Sequence, residues 1–364
     1  MIHSGIKYLH QTINLRWLIG ASLLIATPFI WWPGLDGRAS QMNFFQIGTV
    51  IYFASYLPLP VGIFTVFSLF NALFLGADPV VSSKMVQMIF MGSLYFYFVM
   101  KEADKHMTGW VNCLVFLAVL NCAFVILQAF KVNVYFIPGP ETGTAHFIGL
   151  PGIMKHRIFS GILCATLAPL ALKKHWILLI PLLVGLYYSK STVAVVGFIA
   201  GLTWLAVLKK NIFFLLLVLG GLIFSVPFIK SDLNFYQFFI IYDQTLPLIK
   251  DHLLGQGLGA FHAAGVVFQR TKTWWREAHN LPYQIYFELG LAGLSLLIWL
   301  LFDVFKKSMK LKKDDVLPFL SAGFFAFFVS TLGQPSMHVV RIAMVGVTLT
   351  ALIYARIETL KGAT

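Results

Sequence analysis

The sequence predicts an all-α polytopic membrane protein of about 12 transmembrane helices, with one large outer (periplasmic) loop containing amphipathic helices. Three observations predict it. Of the 364 side chains, 59% are apolar and only 11% charged, a balance outside that of soluble globular domains. Apolar runs approaching the roughly 20 residues that cross a bilayer recur along nearly the whole chain. Lysines gather in alternate short connections between these runs, as they do on the cytoplasmic side of membrane proteins.

In chain order, the expected spans are residues 15–31, 42–57, 61–75, 85–100, 110–130, 158–172, 176–188, 192–208, 212–229, 281–304, 317–332 and 339–355. Pro58-Leu59-Pro60 turns the chain between the second and third, because proline lacks the N–H a continuous helix needs. No room remains for a large soluble domain. The chain divides into transmembrane helices 1–9 (residues 1–229), an outer loop (230–280) and transmembrane helices 10–12 (281–364). With the N-terminus inside, Lys7, Lys101, Lys105, Lys173, Lys174, Lys209, Lys210, the 306–313 cluster, Arg356 and Lys361 all face the cytoplasm. The first apolar run leads into Trp31-Trp32-Pro33 rather than a small-residue cleavage site, so the first span is expected to stay in the mature protein.

On this topology the arginines divide differently from the lysines. Arg38, Arg157, Arg270, Arg276 and Arg341 lie outside, against Arg16 and Arg356 inside. Single external arginines pair with lipid headgroups or acids, but five together point to an anionic ligand, since the guanidinium fork matches phosphate and carboxylate. Cys113, Cys122 and Cys164 fall inside predicted spans without a CxxC pattern, so neither a disulfide framework nor a metal centre is expected.

The 230–280 loop, about 50 residues, is the longest connection, and long ordered loops usually carry function. FYQFFIIYDQTLPLIKDHLL is too polar and proline-broken for a further span and reads as interfacial amphipathic helix. GQGLGAF (255–261) has no βαβ setting, so it reads as a tight turn with close backbone packing rather than a nucleotide loop. Trp274 and Trp275 beside Arg276 suit a sugar face or the headgroup layer.

Groups able to do chemistry collect near the outer ends of the spans: Arg157, Lys190, His279, Asn280, His338 and Arg341. Lys190 stands in a turn of a few residues between two apolar helices, where a cation is costly without a partner or a path to the headgroups. Glu288 follows Gln284 by one turn on the same helical face, which predicts an interhelical hydrogen bond rather than a proton carrier. Asp303 reads as structural. His279 and His338 are the natural general bases, although a histidine before Asn280 and Pro282 also fits a helix-start turn.

LIKDHLLGQGLGAF, followed by HNLPYQIYFELGLAGL, resembles the O-antigen ligase and O-antigen polymerase superfamily: an interfacial helix, a GxGxG turn, then a His-Asn pair leading into a span with Glu-Leu-Gly. The resemblance implies a glycosyltransferase of the bacterial inner membrane, acting at its periplasmic face in lipopolysaccharide or related polysaccharide biosynthesis. A glycan passes from undecaprenyl diphosphate to an acceptor hydroxyl, with lipid A core as the ligase acceptor and a second lipid-linked glycan as the polymerase acceptor. It implies His279 as base, with His338, Asn280 and Glu288 in support. Arg157, Lys190, Arg341 and Arg276 would hold the diphosphate, and Trp274 and Trp275 the glycan or lipid. The expected partners are these substrates and membrane lipids, with no nucleic acid, no metal and no cofactor. Where the superfamily usually carries an arginine before the interfacial helix, this chain has Gln237. A transporter or flippase of an anionic or lipid-linked substrate is the alternative from another class, and it predicts broken helices and polar groups near the midplane.

Overall fold

A computed structural model describes residues 37–76, 79–132, 150, 152–154, 156–231, 253–261, 266–267, 274–275, 280–333 and 340–362. The first expected span, the whole of 133–149 and most of the 230–280 loop lie outside them. The described chain is helical. Its helices are α1 (Gly37–Ala54), α2 (Leu59–Phe74), α3 (Pro79–Ala129), α4 (Arg157–Lys174), α5 (Leu179–Ser189), α6 (Thr192–Lys209), α7 (Ile212–Ser231), α8 (Leu281–Lys310), α9 (Leu317–Thr331) and α10 (Val340–Gly362). One two-residue antiparallel ladder, β1 (Val266–Val267) with β2 (Trp274–Trp275), pairs Val266 with Trp275 and Val267 with Trp274. The amphipathic helices expected before residue 251 lie outside the described residues, and the sequence reading did not anticipate this ladder.

Among the described residues, four helical segments have the length and apolarity to cross a membrane: Lys105–Ala129, Thr192–Lys209, Leu281–Lys310 and Ile342–Lys361. Leu59–Phe74, Trp176–Ser189, Ile212–Ser225 and Leu317–Thr331 are shorter apolar helices. Large apolar side chains face outward along the bundle, among them Phe74, Phe116, Ile223 and Phe302. That is the surface of a protein whose solvent is lipid.

The centre is α4, whose residues from Phe159 to Ala171 are all buried, packed against α5, α6 and α9. Close approach explains how α6 meets α9. A Cβ at Gly197 would fall 2.0 Å from the Ser330 hydroxyl, and one at Gly201 would fall 2.8 Å from the Ala326 Cβ. Gly197 and Gly201 form a GxxxG face against Ala322, Ala326 and Ser330, so the backbones dock where larger residues would hold them apart.

One helix departs from the sequence reading, and α3 agrees with it. The expected spans 85–100 and 110–130 are the two halves of α3, which meet at non-helical torsions at His106 (φ −129°, ψ 28°). The chain reverses there: before the break Phe96 packs on Tyr354 of α10, and after it Gln128 reaches Gly152, next to the start of α4. The expected unbroken span 281–304 is interrupted at Gly290 (φ 66°, ψ −165°).

The two ends of the bundle differ in charge. At one, Arg356 Nη2 meets Asp314 Oδ2 at 2.6 Å, Lys173 Nζ meets Asp315 at 3.2 Å, and Lys209 Nζ donates to the Asp314 carbonyl at 3.2 Å. Asp314 Oδ1 also accepts from the N–H groups of Val316 and Leu317, capping α9. This lysine end joins the last turns of α4, α6 and α10 to the α8–α9 turn. The opposite, arginine end carries Arg157, Lys190 and Asn280.

Candidate functional site

Arg157 opens α4 behind an extended His156, and it is 6% exposed. Its Nη1 donates to the carbonyl of Lys190 at 2.6 Å. Lys190 is the left-handed cap of α5 (φ 50°, ψ 37°), and Ser191 then caps α6 by accepting from Ala194 N–H. The Lys190 ammonium lies 3.8 Å from the centre of the Tyr187 ring. Two sequence-predicted cations therefore meet, with the backbone of one holding the side chain of the other.

Three polar residues that the sequence reading did not single out fix this corner. Asn121 on α3 donates to the Ser160 hydroxyl at 2.9 Å and accepts from Ile153 N–H at 3.1 Å. Gln128 accepts from Gly152 N–H at 2.9 Å. A carboxamide buried within an apolar helix was the available signal, because such a group needs partners in lipid. The bonds anchor the 152–154 turn and, through it, the start of α4.

Asn280 caps α8: its Oδ1 accepts from Tyr283 N–H at 2.9 Å, and Pro282 follows in the first turn, where a missing N–H costs nothing. Its Nδ2 donates to the Leu332 carbonyl at 3.1 Å. The next residue, Gly333, packs so closely on Val193 that a Cβ would lie 2.7 Å from Cγ2. Val193 is in the first turn of α6, three residues beyond Lys190. A continuous path of contacts thus links Asn280 to Lys190 and Arg157 across α8, α9, α6 and α4.

His279, Arg276 and His338 lie outside the described residues. Arg341 falls in the first turn of α10, and Trp274 and Trp275 form β2. Among the described carboxylates, Glu102, Asp303, Asp314, Asp315 and Glu358 belong to the lysine end, which leaves Glu288 alone in the other half. Among the described residues, the arginine end accordingly carries more cations than carboxylates.

Glu288 belongs to a different construction. It is fully buried and accepts from Gln284 Nε2 at 3.1 Å, one turn away in the same helix. The break at Gly290 leaves carbonyls and an N–H without helical partners, and the glycine-rich turn supplies them. Gln256 and Gly257 N–H donate to the carbonyls of Phe287 and Glu288, both at 3.0 Å, while Leu291 N–H donates to the Leu253 carbonyl at 2.9 Å. Leu258 N–H adds a 2.6 Å bond to Asn71 of α2. Gly255, Gly257 and Gly259 all have positive φ, and Cβ atoms at Gly255 and Gly257 would strike backbone at 2.4 Å and 2.0 Å. The close backbone packing expected of GQGLG is present, and it clamps a broken helix.

Beside this clamp, α2 and α8 border an apolar groove of about 730 Å³, walled by Phe67, Phe70, Phe74, Leu254 and Leu291. The chain matches no family model, no curated protein and no solved structure. Chemically, the arginine end offers fixed cations near one helix start, and the groove offers room for a hydrocarbon chain.

Proposed function

We propose that the protein is an inverting, metal-independent glycan transferase that moves a glycan from undecaprenyl diphosphate to an acceptor hydroxyl, in the manner of an O-antigen ligase with lipid A core as acceptor. The observation that carries the reading is the contact path that brings Arg157, Lys190 and the Asn280 cap of α8 to one end of the bundle. His279 immediately precedes that cap. In this reading about 12 spans cross the bacterial inner membrane and the arginine end faces the periplasm.

In the reaction, His279 takes the proton of the acceptor hydroxyl, whose oxygen attacks the anomeric carbon as the bond to the diphosphate oxygen breaks. Lipid diphosphate leaves with the bonding electron pair. Arg157, Lys190, Arg341 and Arg276 take up the charge that develops there, which lowers the barrier most where water is scarce. The apolar groove lies at the right half of the molecule for the lipid chain, and Trp274 and Trp275 would lie near sugar.

The test is transfer from lipid-diphosphate glycan by the reconstituted protein. Replacing His279 with Ala is expected to lower the rate by about 10²-fold or more, the usual worth of a general base. Full transfer by that variant removes His279 from the mechanism. The acceptor consumed distinguishes ligase from polymerase.

One observation favours transport of a lipid-linked or anionic substrate as a second reading. Hydropathy predicts an unbroken helix here, yet α8 breaks at Gly290 beside the buried Glu288, the kind of interruption that transporters place at binding sites. Counterflow in proteoliposomes without a covalent product would establish that reading instead.

A further inference from the structure

The lysine end holds a second cavity, of about 310 Å³, between the Pro58 turn, α8 and α10. Its wall includes Trp299, Asp303 and Lys307 from α8 and Glu358 and Lys361 from α10. Two ammonium groups and two carboxylates thus face one space. Asp303 is already engaged by Lys307 and by the Tyr354 hydroxyl at 2.7 Å, and the Lys307 ammonium also lies 5.0 Å from the Tyr354 ring centre. Glu358 has no hydrogen bond or ion pair among the described residues.

The lining changes along α8. Trp299 precedes Lys307 by eight residues, about 12 Å along a helix, so an aromatic floor lies toward the midplane and the charges toward water. A phospholipid has the same order, glycerol and chains below a charged headgroup, and indole is favoured at that boundary. The balance of charge selects among headgroups. Phosphoglycerol would bring a negative charge beside Glu358 and leave that carboxylate without a cation. A quaternary choline nitrogen carries no N–H to donate. A primary ammonium satisfies Glu358 while its phosphate meets Lys361 and Lys307.

We propose that this cavity is a headgroup site for phosphatidylethanolamine from the leaflet at the lysine end, independent of the reaction at the other end. The test offers the purified full-length protein an equimolar mixture of phosphatidylethanolamine, phosphatidylglycerol and phosphatidylcholine with matched chains, and reads lipid adducts by native mass spectrometry. Phosphatidylethanolamine should dominate. Glu358→Gln should shift the ethanolamine-to-glycerol ratio toward phosphatidylglycerol by roughly threefold, the scale of one solvent-screened charge contact. Lys361→Gln should reduce both adducts, whereas Lys105→Gln, at the same end but outside the cavity, should change neither. Equal retention of the three lipids, no retained lipid, an unchanged ratio in Glu358→Gln, or an equal effect of Lys105→Gln overturns the proposal.

Discussion

Gly290 occupies a conformation that L side chains rarely adopt, and a Cβ there would lie 2.4 Å from the Leu253 carbonyl. Gly290→Ala is expected to cost about 2 kcal/mol or more, from backbone strain and overpacking together. Gly220 sits in α7 with nothing near its missing Cβ, so Gly220→Ala should be neutral or stabilising by up to about 1 kcal/mol. Scanning fluorimetry of the two variants in detergent separates the cases, and equal melting temperatures would contradict the clamp. Lys190 allows a sharper separation of fold from chemistry. Its positive φ is a small cost that glycine relieves, while its ammonium is a proposed contact to the diphosphate. Lys190→Gly should therefore hold or raise the melting temperature and still lower transfer by about tenfold or more. Arg157→Lys, which loses the fork that grips the Lys190 carbonyl, should lower both. The sequence identified these two cations by their shared depth, by the tight turn that holds Lys190 and by the superfamily resemblance. It did not reveal that one holds the other's carbonyl, because that bond depends on how α4 and α5 dock.

At the level of elements, apolar runs located the described helices, with ends displaced by up to seven residues, because a lipid-facing helix must be apolar over most of its length. What hydropathy does not register is backbone. The break in α8 depends on partners at 253–257, more than thirty residues earlier, whereas the reversal at His106 falls in the lysine-bearing connection expected between residues 100 and 110. GQGLG was legible as a tight turn, yet what it packs against was not. The α8–α9 connection gives an element-scale prediction. Burial pushes the Asp314 carboxyl upward, but the Arg356 guanidinium and the N–H groups of Leu317 and Val316 more than offset it, so the group sits below the ordinary carboxylate range. A lowered folded-state pKa means the stabilisation is complete above the unfolded value and is lost as pH falls through the folded one. Melting temperature should hold near neutrality and drop as pH falls below about 4. Asp314→Asn should melt lower at neutral pH and lose part of that dependence. An identical acid profile in wild type and variant would exclude the clasp as its source.

Over the whole molecule, the described charges divide the bundle into a lysine end and an arginine end. Contacts alone place Lys173, Lys209, Asp314 and Arg356 together at one end, and Arg157, Lys190 and Asn280 together at the other. Lysine-rich connections are retained in the cytoplasm, so the arginine end should face outward, where an exported lipid-linked glycan is found. Single cysteines in a background free of Cys113, Cys122 and Cys164 test this directly. An impermeant maleimide applied to intact spheroplasts should label Tyr188→Cys, which adjoins Lys190, and should reach Lys313→Cys only after the membrane is opened. The reverse pattern would put Arg157 and Lys190 in the cytoplasm. Their cluster would then face nucleotide-activated and other soluble anions rather than an exported lipid diphosphate, and the proposed transfer would fail on location before any rate was measured.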